Sequence, residues 1–165
     1  MRKPGSIVRE RIKKILAIAE KAYGYEIYKI YNRVYGDVLM RTIYYNLKKG
    51  VEERDFELIG ILNVPGDFTW GFETNRIYYK NRENVALNLD EETYIKKAIK
   101  DIKKEMKEEV KKWVAKAIKE VKKRKMNELE KTKLLAKLKK IKKFYEENFG
   151  RYPEELDKWM NSLTP

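Results

Sequence analysis

Through the first fifty residues, apolar side chains return every three or four positions, the spacing of one buried helix face. Ile7, Ile12, Ile15, Leu16 and Ala19 predict a first helix up to about Ala22, with Ser6 as its N-cap and Gly24 at its end. Ile27, Ile30, Tyr31 and Val34 predict a second helix from Tyr25 to Val34, punctuated by Gly36. Residues 35–38 read as a turn. A third helix is expected from Leu39 to Lys49, stopped by Gly50, with Met40, Ile43 and Leu47 pointing inward. Its outer face would then carry Arg41, Thr42, Tyr45, Asn46, Lys48 and Lys49.

Beyond Gly50 the period shortens. Phe56, Leu58, Gly60 and Leu62 alternate with Glu57, Ile59, Ile61 and Asn63, and apolar residues in both sets imply a strand covered in part on both faces. Pro65-Gly66-Asp67 marks a turn, and residues 74–80 form the return strand. From Asp90 to Phe149 there is neither Gly nor Pro. Asp90, Glu91 and Glu92 suit a helix start. Ile95, Ile99, Ile102, Met106, Val110, Trp113 and Ala117 follow at spacings of 4, 3, 4, 4, 3 and 4, close to a heptad seam. A helix from Asp90 to Lys125 would be a rod of roughly 54 Å. Met126-Asn127 is the expected break. A second helix then carries Leu129, Leu134, Leu135, Leu138, Ile141 and Tyr145, and Pro153 opens a short last one.

Composition narrows the chemistry. The 165 residues suffice for one domain, or a small domain plus an extension. Charged residues make up 39% and the net charge is +13, which favours polyanionic partners, nucleic acid first. The excess is uneven: residues 111–143 hold 15 basic and 3 acidic groups. There is no His and no Cys, so the commonest general base, thiolate metal sites and disulfides are absent. No Gly-rich phosphate loop is present. Neither catalysis nor a cofactor nor a metal is expected. Missing Gln and Cys with abundant Lys and Glu point to a thermophilic source. No run of about 18 apolar residues occurs, and the basic start leads into a segment too charged for a signal-peptide core. A cytoplasmic protein without a membrane partner is expected.

At Tyr23-Gly24-Tyr25-Glu26-Ile27 and Thr42-Ile43-Tyr44-Tyr45-Asn46-Leu47 the chain resembles PadR-like winged helix-turn-helix transcription regulators, as an archaeal relative. Arg76-Ile77-Tyr78-Tyr79 is similar to the return strand of that family's wing. The resemblance covers about residues 7–80. The segment Asp67-Phe68-Thr69-Trp70-Gly71, and Leu39-Met40-Arg41 before the Thr, depart from the family pattern. The family uses a helical C-terminal region to make dimers.

The expected fold is α+β: a winged helix-turn-helix domain of residues 1–89, then a long helical, coiled-coil-like extension of residues 90–165. Arg41, Thr42, Tyr45 and Asn46 are the candidate base readers, because Arg pairs with guanine and Asn with adenine through two hydrogen bonds each. Lys48 and Lys49 would touch phosphates, as would Lys13, Lys14 and Lys29 more weakly. The wing offers Asn63, Thr69 and Arg76, with Asp67 and Glu73 opposing a DNA backbone. Phe68 and Trp70 are packing residues or, if exposed, a partner surface. The many tyrosines fill gaps between helices or stack bases. Ile95, Ile99, Ile102, Met106, Val110 and Trp113 would form the seam of a two-fold homodimer. A dimeric regulator of transcription that reads double-stranded DNA follows. The alternatives are an architectural or replication-linked protein that binds through the Lys-rich tail without regard to sequence, and a protein-interaction scaffold.

Overall fold

The computed structural model describes residues 6–68 and 71–164, and leaves out the side chains of residues 65–73. Among the described residues the chain is α+β, with six helices and a three-stranded antiparallel sheet. It divides into two compact units, one of Met1–Leu62 and Asn75–Ile102, the other of Asn63–Thr74 and Lys103–Pro165. The division falls inside the longest helix rather than before it.

In the first unit, helix α1 (Ile7–Ala19) begins at Ser6, whose hydroxyl accepts a hydrogen bond from the Arg9 amide as an N-cap should. It ends at Ala19, three residues before the expected Ala22, and its C-cap Glu20 holds a positive φ of 63°. Gly24 therefore does not close α1. A short strand β1 (Ala22–Tyr23) intervenes, and Gly24 opens helix α2 (Gly24–Tyr35). Helix α3 (Met40–Glu52) runs through Gly50 rather than stopping there. Ile12, Ile15, Leu16, Ile27, Ile30, Ile43 and Leu47 form the common core of these helices.

Strands β2 (Phe56–Phe68) and β3 (Gly71–Asn81) follow. Strand β2 runs on through Pro65-Gly66-Asp67, the expected turn. The sheet order is β1-β3-β2, with Tyr23 opposite Tyr78, so β2 is an edge. The expectation that both faces of β2 are partly covered is not met: Leu58, Ile59, Ile61 and Leu62 are each about half exposed or more, at 50, 46, 66 and 49%. Alternation sends these residues to opposite faces, and along its middle this edge strand of a small sheet has too little around it to cover either, while Phe56 and Val64 near its ends are buried.

Helix α4 (Leu89–Lys123) is a single run of 35 residues. Its first turn belongs to the first unit, where Lys14 pairs with Glu91 at 2.7 Å. Ile95 and Ile102, on the expected seam, are buried in that unit. In the second unit its later turns meet helices α5 (Glu128–Phe149) and α6 (Glu154–Ser162). The chain breaks where the sequence suggests. The Asn127 side chain accepts from the Glu130 amide, and Glu130 accepts from the Asn127 amide, a reciprocal cap that starts α5. Val110, Val114, Ala117 and Ile118 of α4 are buried with Leu138, Ile141 and Tyr145 of α5, Tyr152, and Met160 of α6, while Trp113 packs against them. Of the seam residues expected to meet a second chain, Val110 is thus buried and Trp113 partly buried within one. Spacing identified the apolar face; the partner comes from α5 and α6, which carry matching stripes.

Candidate nucleic-acid interface

The site is built on α3 and its supports. The turn before it is fixed by Gly36, at φ 92°, whose amide donates to the Asn32 carbonyl, and by the Asn32 side chain, which accepts from the Val38 amide at 2.9 Å. A side chain with a Cβ would be strained at Gly36. Asn32 is a positioning residue that sequence reading missed; its place one turn before the Gly is the signal that could have found it.

Behind α3, Ile43 and Leu47 are fully buried. Gly50 lies so near β2 that a Cβ there would come within 2.2 Å of the Phe56 ring. The chain continues helically through Gly50 because this approach, rather than helix termination, is what the glycine allows. At its C-terminal end α3 is tied to α1 by charge. Arg9 is buried and its guanidinium lies 2.6 Å from Glu53 and 3.6 Å from Asp55, while Lys13 lies 3.2 Å from Asp55. Burial alone would lower the Lys13 pKa. Its hydrogen bonds to Glu10 and Asp55, with their charges, outweigh that and leave it raised. Lys13 and Lys14 are therefore held by carboxylates of this chain, not presented to phosphates.

The outer face of α3 differs from the expected one at two positions. Asn46 is 4% exposed, its Oδ1 accepting from the Ser6 hydroxyl at 2.6 Å and its Nδ2 donating to the Thr42 carbonyl at 2.9 Å. With its amide so committed, Asn46 cannot meet an adenine edge; it fastens α3 to the start of α1. Met40, expected inward, is 40% exposed. It stands one turn before Ile43 and two before Leu47, where the helix has left the core. What remains outside is a stripe of Arg41, Tyr45 and Lys48, four and three residues apart, flanked by Met40 and Tyr44. Thr42 is half-buried beside it. Lys49 is half-buried and lies 2.8 Å from Glu52; their hydrogen bond raises the lysine pKa and lowers that of the carboxyl. Among the described residues, neither Arg41 nor Lys48 has an ion-pair partner.

On β3, Arg76 is half-buried, with its guanidinium carbon 4.9 Å from the centre of the Tyr23 ring. Tyr23 in turn tilts against Tyr78 at 5.5 Å. Arg76 braces β1 against β3 rather than reaching outward as expected. Lys29 lies over the Tyr25 ring at 5.6 Å. Asn63 is exposed. The side chains of Asp67, Phe68, Thr69, Trp70 and Glu73 lie outside the described residues.

Burial pushes the hydroxyls of Tyr35 and Tyr78 up to about 12, and that of Tyr23 higher still. These three rings fill space between elements and are not free to stack bases; Tyr44 and Tyr45 stay exposed. No group of three or more His, Cys, Asp or Glu able to hold a metal occurs among the described residues. A cleft of about 530 Å³ in the first unit mixes Leu16 and Leu87 with Lys80, Arg82, Glu83 and Glu92, so no one charge prevails in it. No helix among the described residues is long and apolar enough to cross a membrane.

Comparison with family models, with curated proteins and with solved structures finds no match to this chain.

Proposed function

We propose that the first unit is a winged helix-turn-helix module and that α3 enters the major groove of double-stranded DNA, making the chain a sequence-reading regulator of transcription. The observation that carries this is the stripe of Arg41, Tyr45 and Lys48 on a helix whose opposite side is anchored by Ile43, Asn46, Leu47 and Gly50. A helix held from behind can keep its outer side chains in register with base edges. The order of three helices, then a two-stranded hairpin, agrees with such a module. Arg41 is the reader, Tyr45 a hydrogen-bonding and apolar contact, and Lys48 a phosphate contact. Asn46 and Arg76 serve as supports rather than as DNA contacts. One chain binds one half-site. The proposal does not need a second copy, since Val110 and Trp113, which called for one, are buried fully and in part within the chain.

The test is selection of bound fragments from random duplexes, followed by titration of the selected site with Arg41→Ala and Lys48→Ala variants. Arg41→Ala is expected to cost about 1–3 kcal/mol at one base pair and to relax choice there. Lys48→Ala should weaken all duplexes alike. Unaltered affinity in both variants overturns the proposal. A second reading, a protein-docking face, is favoured by Leu39, Met40 and Tyr44 at 59, 40 and 42% exposure beside the stripe. It predicts no duplex binding even at low salt.

A further inference from the structure

One strand of the first unit is left bare. Strand β2 is an edge of the sheet, and along its middle Leu58, Ile59, Ile61 and Leu62 are exposed on both faces. A Cβ added at Gly60 would meet nothing within 4 Å, so nothing is packed over that point either. Between Glu57 and Asp67 the sequence holds no charged residue, although 39% of the chain is charged. A sheet edge offers a row of N–H and C=O groups to any passing strand, and proteins ordinarily guard it with a lysine, an inward charge or a covering loop. From Leu58 to Leu62 this edge carries no charge and stays open to solvent.

The order of the residues says what fits there. Leu58-Ile59-Gly60-Ile61-Leu62 reads the same in both directions. Antiparallel pairing reverses one strand against the other. A second copy of β2, turned about a two-fold axis at Gly60, therefore sets like residue against like. On one face Leu58 meets Leu62 of the second copy, and Leu62 meets its Leu58. On the other face Ile59 and Ile61 meet in the same way. A two-fold contact requires such self-complementarity. Charge agrees with this register: Glu57 would face the neutral Asn63 of the second copy and keep its ion pair with Lys80 at 3.3 Å. A register centred on Glu57 would instead set carboxylate against carboxylate.

We infer that β2 pairs with β2 of a second copy of this chain, antiparallel about a two-fold axis at Gly60, joining two three-stranded sheets into one of six strands. The area fits a weak, reversible dimer. Four half-exposed residues from each chain bring together roughly 600–800 Å² of largely apolar surface, short of the about 1,200 Å² of a stable interface. Backbone hydrogen bonds along the paired edges add to it. A lipid surface or an unrelated strand could cover the same residues, but neither accounts for their symmetric order. The pairing lies in the first unit, leaves the core around α4 complete within one chain, and does not depend on the role proposed for α3.

The experiment measures the mass of the full chain by sedimentation equilibrium across roughly 1 to 300 µM, where a monomer–dimer equilibrium with a Kd on the order of 10 µM is expected. Ile61→Lys should raise that Kd tenfold or more. Ile59→Lys with Ile61→Lys sets lysine against lysine and should leave a monomer throughout, with circular dichroism checking the fold. Register is read by crosslinking, since the chain has no cysteine of its own. A mixture of Leu58→Cys and Leu62→Cys chains brings the two thiols opposite each other, with Cα atoms about 4.5–5.5 Å apart, and should form a disulfide-linked dimer under mild oxidation. Either variant alone holds its thiols about 14 Å apart and should stay unlinked. A wild type that remains monomeric at every concentration overturns the inference, as does a dimer indifferent to the lysines. Crosslinking of each cysteine variant alone, or growth into larger species, overturns the two-fold register.

Discussion

At the scale of single residues, neighbours on one helix have unlike roles. Arg41, Tyr45 and Asn46 lie close together on α3, yet Asn46 is inside and the other two are outside. Asn46→Ala removes two hydrogen bonds from a buried site, and is expected to cost about 1–3 kcal/mol in urea unfolding. Tyr45→Ala should stay within roughly 0.5 kcal/mol of the parent and, on the function proposed for α3, act on DNA affinity instead. Gly50→Ala sets a helix-propensity gain of about 1 kcal/mol against a clash with the buried Phe56 ring. The ring cannot swing away, so a net loss of about 1–3 kcal/mol is expected from the same measurement. Sequence spacing placed Ile43 and Leu47 correctly. It missed Asn46 because periodicity ranks positions by apolarity. A polar residue at the edge of the core looks like a surface residue until its partner, forty positions away at Ser6, is known.

At the scale of elements, the helices were legible and their partners were not. Three amphipathic stripes, a Ser cap and a Pro-Gly pair carry strong local signals. Helices α1, α2 and α3 and strands β2 and β3 lie near where those signals put them, although β2 runs on through the Pro-Gly pair. Strand β1 has two residues, too few for any period, and only its pairing with β3 reveals it. The tyrosines between these elements give a pH signature. Tyr35 and Tyr78 keep their protons up to about 12 in the fold, because burial penalises the phenolate, against an ordinary value of 10.0. A group whose folded pKa is raised contributes stability below its unfolded pKa and loses it as pH climbs toward the folded one. The urea midpoint should therefore hold up to about pH 10 and fall between 10 and 12, with tyrosinate absorbance at equilibrium lagging that of the unfolded chain.

At the scale of the molecule, the seam on α4 shows what a repeat can and cannot convey. Spacings of 3 and 4 say that one side of a helix avoids water. They do not say whether a second copy or a later stretch of the same chain covers it. Here Leu138, Ile141, Tyr145 and Met160 do so from within. A self-contained second unit predicts a thermal midpoint independent of protein concentration over a roughly hundredfold range, whereas a dimer-dependent core would melt higher when concentrated. Leu138→Ala should lower stability by about 2–5 kcal/mol at any concentration.

The hydroxyl of Ser6 begins α1 and, through Asn46, also holds α3. First turns of helices are the places that loosen earliest on warming. On the function proposed for α3, heat would thus slacken the grip of Arg41 well below the melting point, and release would come gradually, like a thermometer rather than a fuse.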